Sequence, residues 1–213
     1  KSNSFIFFQI STDEVYGSLS EHEEPFTENS TYNPRNPYSA CKASADHLVM
    51  SFYNTYNLPC VISHCGNNYG EGQHCEKLIP TVIRCALNDK PIPIYGDGKN
   101  IRDWIYVKDH CNAIFQILYK NKYGTKYNIG SSNEITNISL TKTICKKLDK
   151  ILPRKDGKSY QCLIKFVEDR KGHDMRYALN CKKINEEIDW VVEHDFESSL
   201  NNTVKYYCEK YSP

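Results

Sequence analysis

The sequence predicts an α/β fold with a parallel sheet. Short apolar runs of strand length alternate along the chain with longer segments in which apolar residues recur at helical spacing, and this order is typical of parallel sheets. No internal repeat or low-complexity tract interrupts the alternation. The chain has 213 residues, of which 39% are apolar, so it is long enough for one large domain or two small ones.

Charge and composition argue against several classes of function. Lys and Arg number 27 and Asp and Glu 26, so the net charge of +1 offers no broad basic field to nucleic acid or anionic lipid. No apolar run approaches 18 residues, and we therefore expect no membrane span and no membrane partner. The ten cysteines are scattered without a CxxC pair, so we expect reduced thiols in a cytoplasm-like compartment and no metal site.

The first elements are a strand, a loop and a long helix. The run FIFFQIS, which begins at Phe5, predicts a short buried strand, and a loop rich in Glu, Pro, Asn and Ser follows to about Asn36. Residues 37–56 predict a helix, because Pro37 suits a first turn and apolar residues recur at helical spacing. Those apolar residues are Ala45, Leu48, Phe52 and Tyr56.

The remaining elements continue the alternation. The sequence predicts a strand at LPCVISH (58–64), a helix at 77–87, a short strand and glycine turn at KPIPIYGDGK (90–99), a helix at 108–119, a strand and turn at TKYNIGSS (125–132), a helix at 139–152 and two short helices within 181–207. Glycine turns after Cys65 indicate a change of domain, so we place residues 1–66 in one domain and 67–213 mainly in a second, smaller one.

Two groups of residues are candidates for acid–base catalysis. Tyr38 and Lys42 lie four residues apart on one helical face, and a nearby ammonium lowers the pKa of a phenol, so the pair is a candidate general base for an alcohol. Thr12, Asp13 and Glu14 end the first strand, at the carboxyl edge where parallel sheets bind ligands. Two adjacent carboxyls can divide the work of acid and base, although they can also simply cap a turn.

Seven motifs, in order, resemble those of the dTDP-glucose 4,6-dehydratases, which are extended members of the short-chain dehydrogenase/reductase superfamily. The motifs are STDEVYG, PYSACKASADHL, NNYG, EKLIP, PIYGDGKNIRDWIYVKDH, YNIG and DRKGHDMRYA. The Thr-Asp-Glu triplet discriminates best, because the related 4-epimerases share the Tyr–Lys pair but typically lack the acid pair. The resemblance implies a Rossmann-like NAD-binding domain, of which residues 1–66 are the C-terminal part, and a nucleotide-sugar-binding domain within residues 67–213.

The resemblance also implies a mechanism. Tyr38, with Lys42 beside it, takes the proton of the sugar 4-hydroxyl, which Thr12 binds, while hydride leaves C4 for NAD⁺. Glu14 then removes the C5 proton, and protonated Asp13 gives its proton to the departing 6-hydroxyl before the hydride returns to C6. This role requires a raised pKa at Asp13, which a dry cleft and the neighbouring Glu14 charge both favour.

Further residues receive binding roles from the same resemblance. The cofactor set is Ser11, Tyr38, Lys42 and Asn68. The set for the nucleotide-diphosphate sugar is Thr12, Asn67, Glu76, Lys77, Leu78, Pro93, Ile94, Tyr95, Arg102, Asn128, Asp169, Arg170 and His173. Tyr95 can stack on the base, and the guanidinium of Arg102 suits two phosphate oxygens, unless it pairs with Asp103. The resemblance also implies a homodimer packed through the Tyr–Lys helix and its neighbour.

One family feature is missing. A dinucleotide-binding fold needs a glycine-rich turn after its first strand, and none of the ten glycines forms a GxxGxxG or GxGxxG pattern. The resemblance therefore implies that roughly the first third of a family member is absent. We expect the polypeptide to be a fragment of a longer one, or to need a partner, and Phe5, Ile6, Phe7 and Phe8 to be partly exposed.

Three functions remain open from the sequence. The first is a nucleotide-sugar 4,6-dehydratase acting on a thymidine or uridine diphosphate sugar. The second is a 4-epimerase or decarboxylase of the same superfamily. The third is a non-catalytic module that binds the nucleotide sugar without the cofactor.

Overall fold

The computed structural model of the chain describes residues 5–211 and confirms the α/β class. The strands are β1 (Phe7–Thr12), β2 (Cys60–Cys65), β3 (Asn67–Tyr69), β4 (Ile92–Tyr95), β5 (Ile101–Tyr106), β6 (Thr125–Ile129), β7 (Glu134–Thr136) and β8 (Ile164–Val167). The helices are α1 (Pro37–Tyr56), α2 (Leu78–Leu87), α3 (Val107–Lys120), α4 (Asn137–Ile151), α5 (Lys182–Ile188) and α6 (Phe196–Tyr211). Two 3₁₀ turns cover Asp13–Tyr16 and Tyr160–Leu163.

The chain divides into two compact units that are discontinuous in sequence. The first unit contains residues 1–68, 102–134 and 174–193, and the second contains residues 69–101, 135–173 and 194–213. The first passage between the units lies two residues from the predicted boundary at 66. A single boundary does not describe the later passages of the chain between the units, which lie at 101/102, 134/135, 173/174 and 193/194.

A parallel sheet forms the centre of the first unit. Its order is β1-β2-β6, and both pairs are parallel, so the predicted parallel sheet is confirmed. The register pairs Thr12 with Cys65 and Cys65 with Ile129, which brings the carboxyl ends of all three strands to one edge. Apolar side chains of α1 pack on one face of β2, against Cys60 and Ile62. Residues of α3 and α5 pack with Val61 in a separate cluster.

The outer strand β1 leaves apolar side chains in solvent. Its partner in the sheet is β2, and no strand within residues 5–211 pairs with its other edge. Phe5, Phe7 and Ile10 are exposed, whereas Ile6 and Phe8 are partly buried. The expected exposure at the start of the first strand is therefore seen, most strongly at Phe5 and Phe7.

The second unit combines a two-stranded parallel sheet with three helices. β4 pairs with β8, in a register that places Ile92 opposite Ile164 and Tyr95 opposite Val167. Helix α2 packs against α4 and α6, and their inward residues Ile79, Ile144 and Leu200 are fully buried. Across residues 5–211, the structure has no helix with the length and apolarity that crossing a bilayer would require.

Helix α1 has the predicted bounds but a different buried face. Asn36 caps it and Pro37 occupies its first turn, so both ends follow from the sequence. The predicted apolar stripe is not its core face, because Leu48 is 59% exposed and Tyr56 is 71% exposed. The face toward the sheet uses small and polar residues instead, namely Ser39, Ala43, Asp46 and Val49.

The loop after β6 depends on a glycine that has no room for a side chain. Asp103 is buried in β5, and its carboxylate accepts hydrogen bonds from the backbone N–H groups of Ser131 and Asn133. A Cβ at Gly130 would lie 2.3 Å from the Asp103 Oδ2 atom and 3.3 Å from the Cys181 Sγ atom. We therefore expect Gly130→Ala to lower the free energy of unfolding by about 1–3 kcal/mol.

Urea unfolding of the full-length protein checks this expectation, and a double-variant cycle isolates its cause. Asp103→Ala removes the clashing oxygen, so the double variant should lose less stability than the sum of the two single variants. Additive losses would show that the close approach of Gly130 to Asp103 is not the source of the effect.

Candidate active site

The predicted triplet lies at the carboxyl edge of the parallel sheet. Thr12 is the last residue of β1, and its Oγ1 atom accepts a hydrogen bond from the Glu14 backbone N–H at 3.3 Å, which starts the 3₁₀ turn. The Thr12 hydroxyl donates to the Asp13 Oδ1 atom at 3.2 Å. The strand end and the turn therefore fix both carboxyl-bearing residues relative to one hydroxyl.

Asp13 has the properties of a general acid. Its side chain is only 3% exposed, and its Oδ2 atom has no hydrogen-bond partner within residues 5–211. Burial and, next, the charge of Glu14 raise the pKa of Asp13 to about 7, against the opposing charge of Arg102. A carboxyl with this pKa is protonated in a large fraction of molecules at neutral pH. The unpartnered oxygen can give that proton to a ligand.

Glu14 is held by a residue outside the predicted set. Its Oε2 atom accepts a hydrogen bond from the Asn36 Nδ2 group at 3.1 Å, and its side chain is half-buried. Asn36 directly precedes α1. Its position before Pro37 is a recognisable helix-capping signal in the sequence, and that signal could have identified it as a structural residue of the site.

Tyr38 lies beside the acid pair, but Lys42 does not act on it as predicted. Burial and, next, the charge of Glu14 raise the pKa of Tyr38, while a hydrogen bond with Thr12 works in the opposite direction. The Lys42 Nζ group donates to the Ile10 carbonyl oxygen at 2.6 Å. The prediction that Lys42 lowers the pKa of Tyr38 is therefore wrong for this structure, because burial and the charge of Glu14 dominate and raise it.

Three predicted binding residues of the first unit lie near the same strand ends. Ser11 donates to the Asp46 Oδ2 atom at 2.7 Å. The Asn68 Oδ1 atom is hydrogen bonded to His110 Nδ1 at 2.8 Å, and its Nδ2 group donates to the Cys65 Sγ atom at 3.4 Å. Asn67 is partly buried beside it in β3.

Arg102 is largely buried among groups of its own unit. Its Nη2 group donates to the Asp174 carbonyl oxygen at 2.8 Å and its Nη1 group to the Met175 carbonyl oxygen at 3.2 Å. The guanidinium carbon lies 4.3 Å from the centre of the Tyr177 ring. The backbone at 174–175 and this ring therefore set the plane of the guanidinium.

The side chain of Asn128 is held by hydrogen bonds within the protein. It is fully buried, its Nδ2 group donates to the Phe26 carbonyl oxygen at 2.9 Å, and its Oδ1 atom accepts from Tyr16 at 3.0 Å. These bonds occupy both ends of the amide in the protein interior, and a contact between this side chain and a nucleotide sugar stays a prediction.

The second unit brings four of the predicted residues together. His173 Nδ1 lies 2.7 Å from Asp169 Oδ1, and His173 Nε2 lies 2.8 Å from the Arg170 Nη2 group. The guanidinium carbon of Arg170 lies 5.1 Å from the centre of the Tyr95 ring. This cluster presents the partly exposed ring of Tyr95 and the guanidinium of Arg170, which suit a base and a diphosphate.

The other predicted residues of the second unit are more dispersed. In β4, Ile94 is buried in the core while Pro93 is partly buried and Tyr95 is exposed, so the strand alternation contradicts a ligand contact through the Ile94 side chain. Glu76 is exposed, Lys77 stands at the N-cap position of α2, and Leu78 begins that helix.

A buried polar network beneath the site was not foreseen. The Asp46 Oδ2 atom lies within hydrogen-bonding distance of Ser11, of Tyr32 and of the His64 Nε2 atom, at 2.7, 3.1 and 3.2 Å. Burial lowers the pKa of His64, so the imidazole is neutral at pH 7. The sequence does not indicate which hydrogen-bond partner a histidine inside an apolar strand pattern will have.

Comparison with known proteins finds 4,6-dehydratases by family, by sequence and by structure. The family model described as GDP-mannose 4,6 dehydratase matches residues 1–203. A dTDP-glucose 4,6-dehydratase of Haemophilus influenzae is 50% identical over 209 residues, which are 97% of this chain and 62% of that protein. The crystal structure of DesIV, the dTDP-glucose 4,6-dehydratase of Streptomyces venezuelae with NAD and TYD bound, has a TM-score of 0.88 and 38% identity, and the match covers 96% of this chain and 60% of that one.

A structure with a different activity is also similar. UDP-glucuronic acid 4-epimerase of Bacillus cereus, in complex with UDP-glucuronic acid and NAD, has a TM-score of 0.84 and 26% identity, and the match covers 97% of this chain and 62% of that one. The chain thus spans about 60% of the length of these relatives. The family model matches nearly the whole chain, and the predicted resemblance to dTDP-glucose 4,6-dehydratases is confirmed. The chain therefore belongs to the GDP-mannose 4,6-dehydratase family.

Proposed function

We propose that this chain carries the acid, base and phenol of an NAD-dependent nucleotide-sugar 4,6-dehydratase, which converts dTDP-glucose or UDP-glucose to the 4-keto-6-deoxy sugar. The observation that carries this proposal is the buried carboxyl of Asp13, whose pKa of about 7 and unpartnered Oδ2 atom suit the protonation of a leaving hydroxyl. Glu14 and Tyr38 beside it supply the other two groups that an elimination next to a ketone requires.

The residues present fit the cofactor in chemistry. Tyr38 is 56% exposed, and Lys42 uses one of its three N–H groups on the Ile10 carbonyl oxygen. Ser11 and Asn68 border the same strand ends, and these four residues would hold NAD. When bound, NAD supplies the hydride acceptor for C4 and returns the hydride to C6.

The chain's own groups perform the proton transfers of the proposed reaction. Tyr38 takes the proton of the sugar 4-hydroxyl, and the Thr12 hydroxyl binds the same oxygen. The ketone that forms at C4 acidifies the proton on C5, and Glu14 removes it. Asp13 gives its proton to the 6-hydroxyl, which leaves as water, so the double bond forms between C5 and C6 without a free hydroxide ion.

The substrate is proposed to be a nucleotide-diphosphate sugar. In the second unit, Tyr95 offers a ring for the base, and Arg170, which His173 orients by accepting one of its hydrogen bonds, offers donors for the diphosphate. Thymidine and uridine differ by one methyl group, which is worth about 1–3 kcal/mol in a fitted pocket, so both nucleotides belong in the first assay.

Product analysis tests the proposal. The full-length protein is incubated with NAD and either dTDP-glucose or UDP-glucose, and the product is identified by NMR. We expect a 4-keto-6-deoxy sugar. A 4-epimer or decarboxylated sugar would instead support the second candidate, whose support here is the similarity to the epimerase structure, and calorimetric binding of the nucleotide sugar without binding of NAD would support a non-catalytic module.

We also propose a homodimer that packs through α1. Leu48, Phe52 and Tyr56 lie exposed at helical spacing along this helix, and they form an apolar stripe of the kind that interfaces use. Leu48→Glu is expected to shift the full-length protein from dimer to monomer in light scattering. Phe115→Glu, on the exposed face of α3, is the matched control and should leave the assembly unchanged.

The cytoplasm is the proposed compartment. All ten cysteines are free thiols in the structure, and four of them are buried, at positions 60, 65, 145 and 208. Free thiols in this number fit a reducing environment.

A further inference from the structure

The side-chain amide of Asn36 makes two contacts of different kinds. Its Oδ1 atom accepts a hydrogen bond from the Ser39 backbone N–H at 2.8 Å, which caps α1. Its Nδ2 group donates to the Glu14 Oε2 atom at 3.1 Å. One planar amide thus joins the carboxylate at the end of β1 to the first turn of the helix that carries Tyr38.

The surroundings of Asn36 restrict its movement. The Ser39 hydroxyl is hydrogen bonded to the Asn36 backbone N–H at 3.2 Å and donates to its carbonyl oxygen at 3.0 Å, which completes a capping box. Pro37 follows and disfavours helical backbone at Asn36, whose φ of −142° and ψ of 163° are extended. With Oδ1 fixed by the helix, the direction of the Nδ2 group is fixed too.

This arrangement has a consequence for the chemistry of Glu14. An amide N–H that donates to a carboxylate restricts the rotation of that carboxylate. A base that removes the C5 proton must be charged and aimed at the ring on which Tyr38 acts. The cap alone does not need the Nδ2 group, because serine and aspartate cap helices about as well as asparagine does.

We propose that Asn36 is a positioning residue for Glu14, one that aligns the base for C5 with the phenol that acts at C4. This inference rests on the proposed dehydratase function. It adds a residue that acts only through Glu14, and it assigns that residue to one step of the reaction, the removal of the C5 proton.

Two substitutions separate this role from the helix cap. Asn36→Ser keeps an oxygen for the Ser39 N–H but removes the donor to Glu14. Asn36→Asp also keeps the cap and is nearly isosteric, but it places a second carboxylate against Glu14. Ser39→Ala is the matched control, because it weakens the capping box and leaves the Asn36–Glu14 hydrogen bond in place.

The experiment follows two steps separately in the full-length protein with NAD and dTDP-glucose. Oxidation at C4 appears as absorbance of the reduced nicotinamide in the stopped flow, and loss of the C5 proton is followed as solvent deuterium uptake at C5. We expect Asn36→Ser to slow the C5 step about tenfold while C4 oxidation keeps its rate, so that the reduced cofactor accumulates. Asn36→Asp should slow the C5 step further, and thermal unfolding of both variants should stay close to that of the wild type.

Ser39→Ala should show the opposite pattern, with a lower unfolding temperature and an unchanged C5 step. The inference is overturned if Asn36→Ser leaves the C5 step at the wild-type rate, or slows both steps equally, as a general structural defect would. Failure of the proposed function is a separate result, since it would appear in the wild type as the absence of any C4 oxidation.

Discussion

Asp13→Asn is expected to lower kcat of the full-length protein by about 10²–10⁴ and, at pH 9, to raise its free energy of unfolding by roughly 2–4 kcal/mol. The loss of activity follows because an amide cannot give a proton to the departing hydroxyl. The gain in stability follows because the carboxyl is buried and its Oδ2 atom has no partner within residues 5–211. Asparagine has nearly the same shape but carries no charge.

The gain in stability should depend on pH in one direction. The pKa of Asp13 is raised from 3.8 to about 7 in the folded protein, so the folded state binds the proton more tightly than the unfolded state does. The wild type is therefore most stable, with respect to this group, below about pH 4, and it loses that stability as the pH rises through 7. The advantage of the variant should vanish near pH 4 and reach its full size above pH 7.

Urea unfolding at several pH values, together with steady-state kinetics, checks both halves of this prediction. Asp97→Asn is the control, because Asp97 is an exposed carboxyl in a glycine turn and its neutralisation should give no such gain. The wild-type kcat should itself fall as the pH rises through 7, as the acid loses its proton. A variant that is inactive yet less stable at pH 9 would contradict the view that Asp13 is a destabilising buried acid.

Asp46→Ala is expected to destabilise the full-length protein by about 3–5 kcal/mol. Burial alone would raise the pKa of Asp46, but hydrogen bonds from His64 and then Ser11 outweigh it and hold that pKa below its usual range. Removing the carboxylate leaves the buried Ser11 hydroxyl without its acceptor, whereas the partly buried Tyr32 hydroxyl keeps the His64 Nε2 atom at 2.7 Å. The unpaired hydroxyl and the other hydrogen bonds lost with the carboxylate account for the size of the loss.

The same substitution should also disturb the site. Asp46 lies two turns after Tyr38 on α1 and bonds Ser11, which precedes Thr12 on β1, so it fixes the helix against the strand. Chemical denaturation measures the stability, and Asp189→Asn is the control, because its exposed ion pair with Lys120 should contribute less than about 1 kcal/mol and asparagine tolerates the left-handed backbone there. Equal losses for the two variants would show that the network does not stabilise the fold.

Local signals in the sequence were sufficient to predict the long helix α1. Helix α1 has the predicted bounds, since Asn36 and Pro37 mark its start and Asn57, in the left-handed conformation, marks its end. β5 was not predicted, because Arg102 and Asp103 interrupt its apolar pattern. Both charges are buried and satisfied by residues that are distant in sequence, near 131 and 174, and a local pattern carries no trace of such partners.

In the candidate site too, local features were predicted from the sequence and contacts between distant residues were not. Thr12, Asp13, Glu14 and Tyr38 come together as predicted, because a strand end and the first turn of a helix are local features. The sequence did not predict that Lys42 would bond the Ile10 carbonyl, or that Asn128 would be enclosed. These outcomes depend on which groups three-dimensional packing brings nearest, and several polar neighbours compete for each donor.

The central claim is that Tyr38, Glu14 and Asp13 act in turn on one hexose. Its most direct test uses dTDP-glucose that carries deuterium at C4, mixed with unlabelled substrate, and locates the label in the product by NMR. We expect deuterium to move from C4 to C6 within the same molecule while C5 acquires hydrogen from solvent. Recovery of the label at C4, in a sugar that keeps its 6-hydroxyl, would contradict it.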